Sequence, residues 1–389
     1  MTMTRVGTGI LAAVSVSASL YQGGLAILSF LTGEKRFLRK PIVSRPSVLV
    51  LIPAHNEEAV IPHCLEAVGE FDRGGWRPRV VVIADNCDDN TARVARDLGV
   101  ETIVREDRDH RGKGEALAWA LARPDLLDGV DAVLLLDADD RPEPETLDVA
   151  LEEKARSGVD IVQVAHVSRG ANTTDESALD LWATTLINRV RPRGLAFLGL
   201  PTRLQGGGML FDAEVFRDLG WPSGGVSEDF FATLRVLDKG YQIGFTDTAI
   251  VWALSTETVQ ARRAQRVRWE SGRLLGLAEI PGLLYSAFTR RSGGHAVMAA
   301  HLLVAPMTVH VASLALGLIV GWRRPRLRAV LLCSAAATGL YLAEGLRLIG
   351  QPELSRKAVA AGPRFLVWKL RVQGEALKRF RAAEWEYEG

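Results

Sequence analysis

Residues 131–140 read DAVLLLDADD. Five apolar residues, Ala132 to Leu136, run straight into Asp137, Asp139 and Asp140, with only Ala138 between the first two acids. A continuous apolar run is the pattern of a strand buried on both faces. Buried charge is costly unless something pairs with it. The stretch therefore predicts a strand that delivers acids to the rim of a sheet, where a cation can meet them.

Three similar runs precede it. SVLVLIPA (47–54), RVVVIAD (79–85) and ETIVRE (101–106) each read as a strand. Between them lie helical patterns: EEAVIPHCLEAV (57–68), NTARVARDLG (90–99) with Gly99 at a C-cap position, and GEALAWALARP (114–124), stopped before Pro124. Strand and helix in alternation predict an α/β, Rossmann-like domain with a mostly parallel sheet and helices on both faces. Ligands of such sheets sit beyond the carboxyl ends of the strands. Those ends carry Pro53 to Glu58, Asp85 to Asp89, Arg108 to Gly114, and the acids of 137–140. Four polar ends on one rim, one of them basic and glycine-flanked, predict a bound nucleotide.

Several chemistries are excluded. No G-x-G-x-x-G follows the first strand and no G-x-x-x-x-G-K-[ST] occurs, which disfavours dinucleotide hydride transfer and P-loop chemistry. Cys64, Cys87 and Cys333 are scattered, so neither a disulfide framework nor a thiolate metal site is expected. No H-E-x-x-H occurs. A formal charge of +1 over 389 residues gives no argument for nucleic acid.

Asp137-Ala138-Asp139 is a D-x-D pattern. Hard oxygen ligands at a strand end suit Mg²⁺ or Mn²⁺, which complete their shell with phosphate and water. The run Gly206-Gly207-Gly208 marks either a bulge or a close approach of backbone to ligand. Ser227-Glu228-Asp229 precedes a helical stretch: Ser227 can cap it, and Asp229 can serve as a general base. In ARRAQRVRWESGR (261–273), Gln265, Arg268 and Trp269 share one helical face. Arg262, Arg263 and Arg266 form the other, a candidate membrane-facing basic surface. Asp140 receives no role beyond a solvated or loop-capping carboxylate.

Apolar stretches flank this middle. No charge lies between Arg5 and Glu34, and Lys35, Arg36, Arg39 and Lys40 follow, predicting an N-terminal anchor with the remainder cytoplasmic. Residues 296–322 read as a second span that tolerates Pro306. Residues 329–348 read as a third, weaker span, ended by Glu344 and Arg347, which can face each other three apart. Residues 273–290, with a Pro-Gly break, and 363–381, a basic amphipathic tail with Leu366, Leu370, Leu377 and Phe380, read as interfacial helices. The expected organisation is 1–45 anchor and basic flank, 46–272 catalytic domain, and 273–389 membrane and interfacial helices.

In order, P-A-H-N-E-E, A-D-N-C-D-D-N-T, R-G-K-G-E-A-L, D-A-D, G-G-G-M, S-E-D and Q-R-V-R-W resemble the membrane-bound family-2 glycosyltransferases, the group of the cellulose, chitin, hyaluronan and poly-N-acetylglucosamine synthases. The resemblance implies a GT-A catalytic domain, a UDP-sugar donor, Mg²⁺ or Mn²⁺, and a saccharide or lipid-linked acceptor at a bacterial-type inner membrane. It implies that Pro53, Glu57 and Asp85 border the uridine, that Lys113 and Asp137 lie at the nucleotide, and that Asp139 ligates the metal. Asp229 would be the base for inverting transfer. Glu228, Gly207, Gly208, Gln265, Arg268 and Trp269 would line the diphosphate and the acceptor end. Three spans at most cannot enclose a polymer channel alone, so the resemblance also implies a membrane partner, a homo-oligomer, or a short or lipid-linked product. A metal-dependent nucleotidyltransferase is the rival enzyme class, distinguished by release of pyrophosphate rather than UDP.

Overall fold

The computed structural model describes residues 2–33, 45–71, 75–170, 174–222, 228–254 and 259–382; within its helices, the side chains of 2–12, 14, 259–265, 268–269 and 379–382 fall outside the description. In chain order the first elements are α1 (Thr2–Leu31), β1 (Val48–Ala54), α2 (Ile61–Gly69), β2 (Arg79–Asp85), α3 (Thr91–Asp97), β3 (Glu101–Arg105), α4 (Lys113–Leu121) and β4 (Ala132–Leu135). Next come β5 (Asp140–Pro142), α5 (Thr146–Ser157), β6 (Ile161–Arg169), α6 (Asp175–Thr185), a π-turn, α7 (Arg191–Phe197), β7 (Met209–Asp212), α8 (Ala213–Leu219), α9 (Glu228–Asp238) and β8 (Ile243–Leu254). The rest is helical: α10 (Val259–Gly276), α11 (Ile280–Thr289), α12 (Gly293–Leu303), α13 (Met307–Gly321), α14 (Pro325–Ile349) and α15 (Pro352–Ala382).

These elements form two compact units, Glu34–Arg169 with Pro201–Ser255, and Met1–Gly33 with Gly170–Leu200 and Thr256–Gly389. The first holds an eight-stranded sheet in the order β3-β2-β1-β4-β7-β6-β8-β5. The expected strands β1 to β4 are present and pair in parallel. Alternate residues of β1 explain why: Val48, Val50 and Ile52 enter one core, while Leu49 and Leu51 enter the other. Both faces are covered, so every position is apolar.

The second half of the sheet departs from the alternation. β7 runs antiparallel to β4 and β6, and β5 antiparallel to β8. Antiparallel neighbours need no crossover helix, so strand–helix alternation carries no signal for them. Pro53 sits inside the central strand β1. The β1–β4 ladder ends at Leu51↔Leu135, and Leu51 O accepts the N–H of Leu136 on that side. Pro53, two residues on, faces the same side beyond that ladder, so its missing N–H breaks none of these pairs.

The second unit is helical. Among the described residues, one helix, Pro325–Ile349, is long and apolar enough to cross a bilayer. The expected span 296–322 is instead two helices, α12 and α13, bent by 60° at their junction. Pro306 disfavours helical geometry in the residue before it, and it becomes the N-cap of α13. Pro281 likewise starts α11 rather than breaking a helix. Gly23 lets α1 and α14 cross closely, since a Cβ there would lie 2.8 Å from that of Ala337. Glu344 and Arg347 do face each other, at 2.7 Å, and Ser29 donates to Glu344 at 2.7 Å.

α15 carries an apolar outer face, with Leu370 and Leu377 exposed, but its inner face packs on α10. Lys369 pairs with Glu270 at 2.7 Å. Arg266 is 7% exposed, pairs with Asp180, and stacks over Phe365 and Trp368. Its expected place on a membrane-facing basic surface is therefore corrected. The charge of Arg266 is neutralised inside the unit. Lys35, Arg36, Arg39, Lys40 and Ser227, and the side chains of Arg262 and Arg263, lie outside the described residues.

Candidate functional site

Glu57, Lys113, Asp137, Asp139, Glu228 and Asp229 form one charged group in the sheet-bearing unit, each feeling the field of others in the set. The strand ends expected to converge do so. Lys113 begins α4, after Gly112 at φ +117°, a backbone conformation that requires glycine. Its ammonium pairs with Asp137 and donates to Gly206 O at 2.9 Å. Burial pulls the Lys113 pKa down, and Asp137, with Asp229 and Glu228, more than reverses this. Asp137 in turn is lowered: burial raises it, and Lys113 together with His166 overcomes the rise.

Among the described residues Asp139 makes no such ion pair, and His166 offsets its neighbours only in part. Burial, then the carboxylates of Asp140 and Asp137, push its carboxyl well above the usual range. A hard divalent cation is what this donor set fits, because it would relieve that crowding. Asp137, Asp140 and His166 place donor atoms within 4.8 Å of one another. Asp140 and His166, however, already satisfy each other at 2.6 Å. The residues that would hold a cation are thus Asp139 and Asp137.

Asp140 corrects an expectation. It is fully buried, not solvated. It does cap the turn, accepting the Asp137 N–H at 2.8 Å through Oδ2, while Oδ1 takes His166 Nε2. The other ring nitrogen, Nδ1, faces Gln205 O at 3.1 Å. Both nitrogens face acceptors, which suits an imidazolium. Burial lowers the His166 pKa, and Asp140, with Asp137 and Asp139, brings it up to about 9.

The glycine run serves two separate close approaches. A Cβ on Gly206, at φ +96°, would lie 3.4 Å from Asp137 Oδ2 and 3.9 Å from Asp229 Oδ2. A Cβ on Gly207 would meet Asp140 Oδ2 at 2.0 Å, and one on Gly208 would meet Val251 at 3.0 Å. Gly206 is therefore the glycine that keeps the space between Asp137 and Asp229 clear. Gly207 and Gly208 face protein in this structure. Gly114 is similar, lying against Pro222 O and Glu228.

Asp229 is the second residue of α9, one-third exposed, with Arg203 Nη1 at 3.6 Å. Glu228 beside it has its pKa raised to about 7 by burial, opposed by Lys113. Glu57 is likewise raised to about 7, by burial and by Asp137 and Asp89. Asp85 is 4% exposed. Its Oδ1 accepts from Arg105 at 2.7 Å and from Asn86 at 3.0 Å. Gln265, Arg268 and Trp269 fall on α10, with side chains outside the described residues. Sequence reasoning missed Arg105, His166 and Arg203. His166 had one available signal: it interrupts the apolar run of residues 161–167.

Comparison with known proteins adds the family. The profile of "Glycosyltransferase like family 2" matches residues 46–272. A probable glycosyltransferase, YdaM, of Bacillus subtilis is 27% identical over 267 residues, covering 65% of this chain and 61% of that one. The poly-beta-1,6-N-acetyl-D-glucosamine synthase of Staphylococcus aureus is 23% identical over 273 residues, 66% of this chain and 63% of that one. The chain thus spans less than two-thirds of the length of these curated relatives. The mannosyltransferase PcManGT of Pyrobaculum calidifontis, solved with GDP-Man and Mn²⁺, aligns at TM-score 0.52 with 20% identity, over 96% of this chain and 100% of that one. At that identity the likeness is one of fold.

Proposed function

The chain belongs to glycosyltransferase-like family 2, with a GT-A-like α/β fold, and on that premise we propose that it is an inverting, metal-dependent transferase acting at a membrane. It moves a sugar, N-acetylglucosamine or glucose, from a UDP-sugar to a saccharide acceptor. The observation that carries this reading is Gly206, whose missing side chain leaves a clear space between Asp137 and Asp229.

In this reading Asp229 takes the proton of the acceptor hydroxyl. The acceptor oxygen bonds to the anomeric carbon while the bond from that carbon to the UDP oxygen breaks, and UDP leaves with the electron pair. A divalent cation held by Asp139 and Asp137 would supply charge neutralisation on the diphosphate. Lys113 adds a second positive charge beside Asp137. Glu57 and Asp85 border the base, with Arg105 fixing Asp85. Arg203 steers the Asp229 carboxylate. Glu228, Gln265, Arg268 and Trp269 serve the diphosphate and acceptor end.

Membrane attachment is supported by the Pro325–Ile349 helix and the bent α12–α13 pair. The helical unit also exposes Leu20, Tyr285, Phe288 and Ile319, each at least 70%. Apolar surface of that kind calls for lipid or protein cover. The sheet-bearing unit then faces the cytoplasm of a bacterial-type inner membrane. A second reading, a single addition to a lipid acceptor, is compatible with the candidate spans among the described residues. The test is nucleoside-diphosphate release, UDP from a panel of UDP-sugars and GDP from GDP-mannose, with products sized by mass spectrometry. One added sugar per acceptor selects the second reading, and pyrophosphate release would remove both.

A further inference from the structure

Over its first seven residues, IVQVAHV (161–167), β6 is apolar except for Gln163 and His166. Gln163 is fully buried. Its amide N–H donates to Gly207 O at 2.8 Å, and its carbonyl oxygen accepts the Gln205 N–H at 2.8 Å. His166 binds the same loop twice: its backbone N–H donates to Gln205 Oε1 and its ring Nδ1 bonds Gln205 O, both at 3.1 Å. Its ring Nε2 bonds Asp140 Oδ1, whose partner oxygen receives the Asp137 N–H. Lys113 then joins Asp137 to Gly206 O. The contacts close a ring: Asp137, Asp140, His166, the 205–207 loop, Lys113, and Asp137 again.

Buried polar networks are costly when partly satisfied and rigid when complete. Here both oxygens of Asp140 and both nitrogens of His166 are engaged inside the protein. Gly207 leaves no room for a side chain against the pair. The ring opens to solvent at the Lys113–Asp137 pair, 25% and 29% exposed, with Asp139 next to it.

We propose that His166 and Asp140 are positioning residues for the metal–diphosphate site, locking the 137–140 turn to the 205–208 loop so that Asp137 and Asp139 are preorganised for a divalent cation bound with a nucleoside diphosphate. The proposal rests on the function given above. Partners of this outer kind typically change metal affinity about 10- to 100-fold when removed.

The experiment is binding of Mn²⁺ to the full chain in detergent with UDP present, followed by the loss of the free Mn²⁺ spectroscopic signal, together with thermal unfolding. The wild type binds Mn²⁺. His166→Ala weakens that binding about 10-fold or more. His166→Gln keeps a side-chain N–H donor and recovers most of it. Gly207→Ala removes no donor but displaces the Asp140–His166 pair, and weakens Mn²⁺ binding as His166→Ala does. Wild-type Mn²⁺ affinity in folded His166→Ala or Gly207→Ala overturns the proposal. So does equal affinity of the Gln and Ala variants with only their unfolding temperatures lowered. If His166→Ala does not fold, Gly207→Ala and His166→Gln decide. Absence of UDP-dependent Mn²⁺ binding in the wild type instead overturns the functional reading, and the proposal with it.

Discussion

Lys113 and Asp137 form an ion pair at the junction of three strand-end loops, and the same ammonium holds Gly206 O at 2.9 Å. The pair joins the start of α4 to the end of β4. Lys113→Met removes the cation that pairs with Asp137 beside Asp139. Breaking one side of a half-buried pair is costly. We expect kcat/KM for the donor to fall about 100-fold, equivalent to roughly 2.7 kcal/mol of transition-state stabilisation. Initial rates against donor concentration measure it, and an unchanged kcat/KM removes Lys113 from the site.

Gly206 and Gly208 both have positive φ, yet they should fail differently. Holding a non-glycine residue in such a conformation costs about 1–3 kcal/mol, so both alanine variants lose stability to denaturant. Only Gly206→Ala places a methyl group between Asp137 and Asp229. Its transfer rate should drop at least about tenfold beyond any loss in Gly208→Ala at matched folded fraction.

Glu57 and Glu228 carry a pH dependence of stability. Each is raised from 4.5 to about 7 in the folded protein. The folded state therefore binds more protons than the unfolded one between those values, and stability falls as pH rises through that window. Above about 7 this contribution is gone. Unfolding temperature measured from pH 5 to 8 should decline less in the Glu57→Gln, Glu228→Gln double variant than in the wild type. An identical decline contradicts the burial assigned to these two carboxyls.

The helical unit should hold the chain in a bilayer. After an alkaline carbonate wash, the full chain is expected in the membrane pellet. Release into the supernatant would place its exposed apolar face against a protein partner instead.

Much of this was legible in the sequence because burial on both faces leaves a plain mark. Runs such as VLVLIPA (48–54) and AVLLL (132–136) are apolar at every position, and their polar ends follow directly. The antiparallel strands left no such mark: β7 is only four residues long, and β5 only three. Asp140 was misread because burial of an acid depends on a partner 26 residues away, His166. Arg266 was misread for the same reason, since its ion-pair partner Asp180 and the rings it stacks on, Phe365 and Trp368, are remote in sequence. Local pattern reports which side of an element is apolar. It does not report which charge will find a counter-charge inside.

The most direct test of the central claim is UDP release by purified wild type and Asp229→Asn, each with its preferred UDP-sugar and acceptor, with and without Mn²⁺. Loss of a general base typically costs about 10²- to 10⁴-fold. We predict a loss of about 10³-fold in kcat for Asp229→Asn with UDP affinity retained, and loss of wild-type activity on chelation. Full turnover by Asp229→Asn, or wild-type turnover indifferent to chelation, would contradict the account.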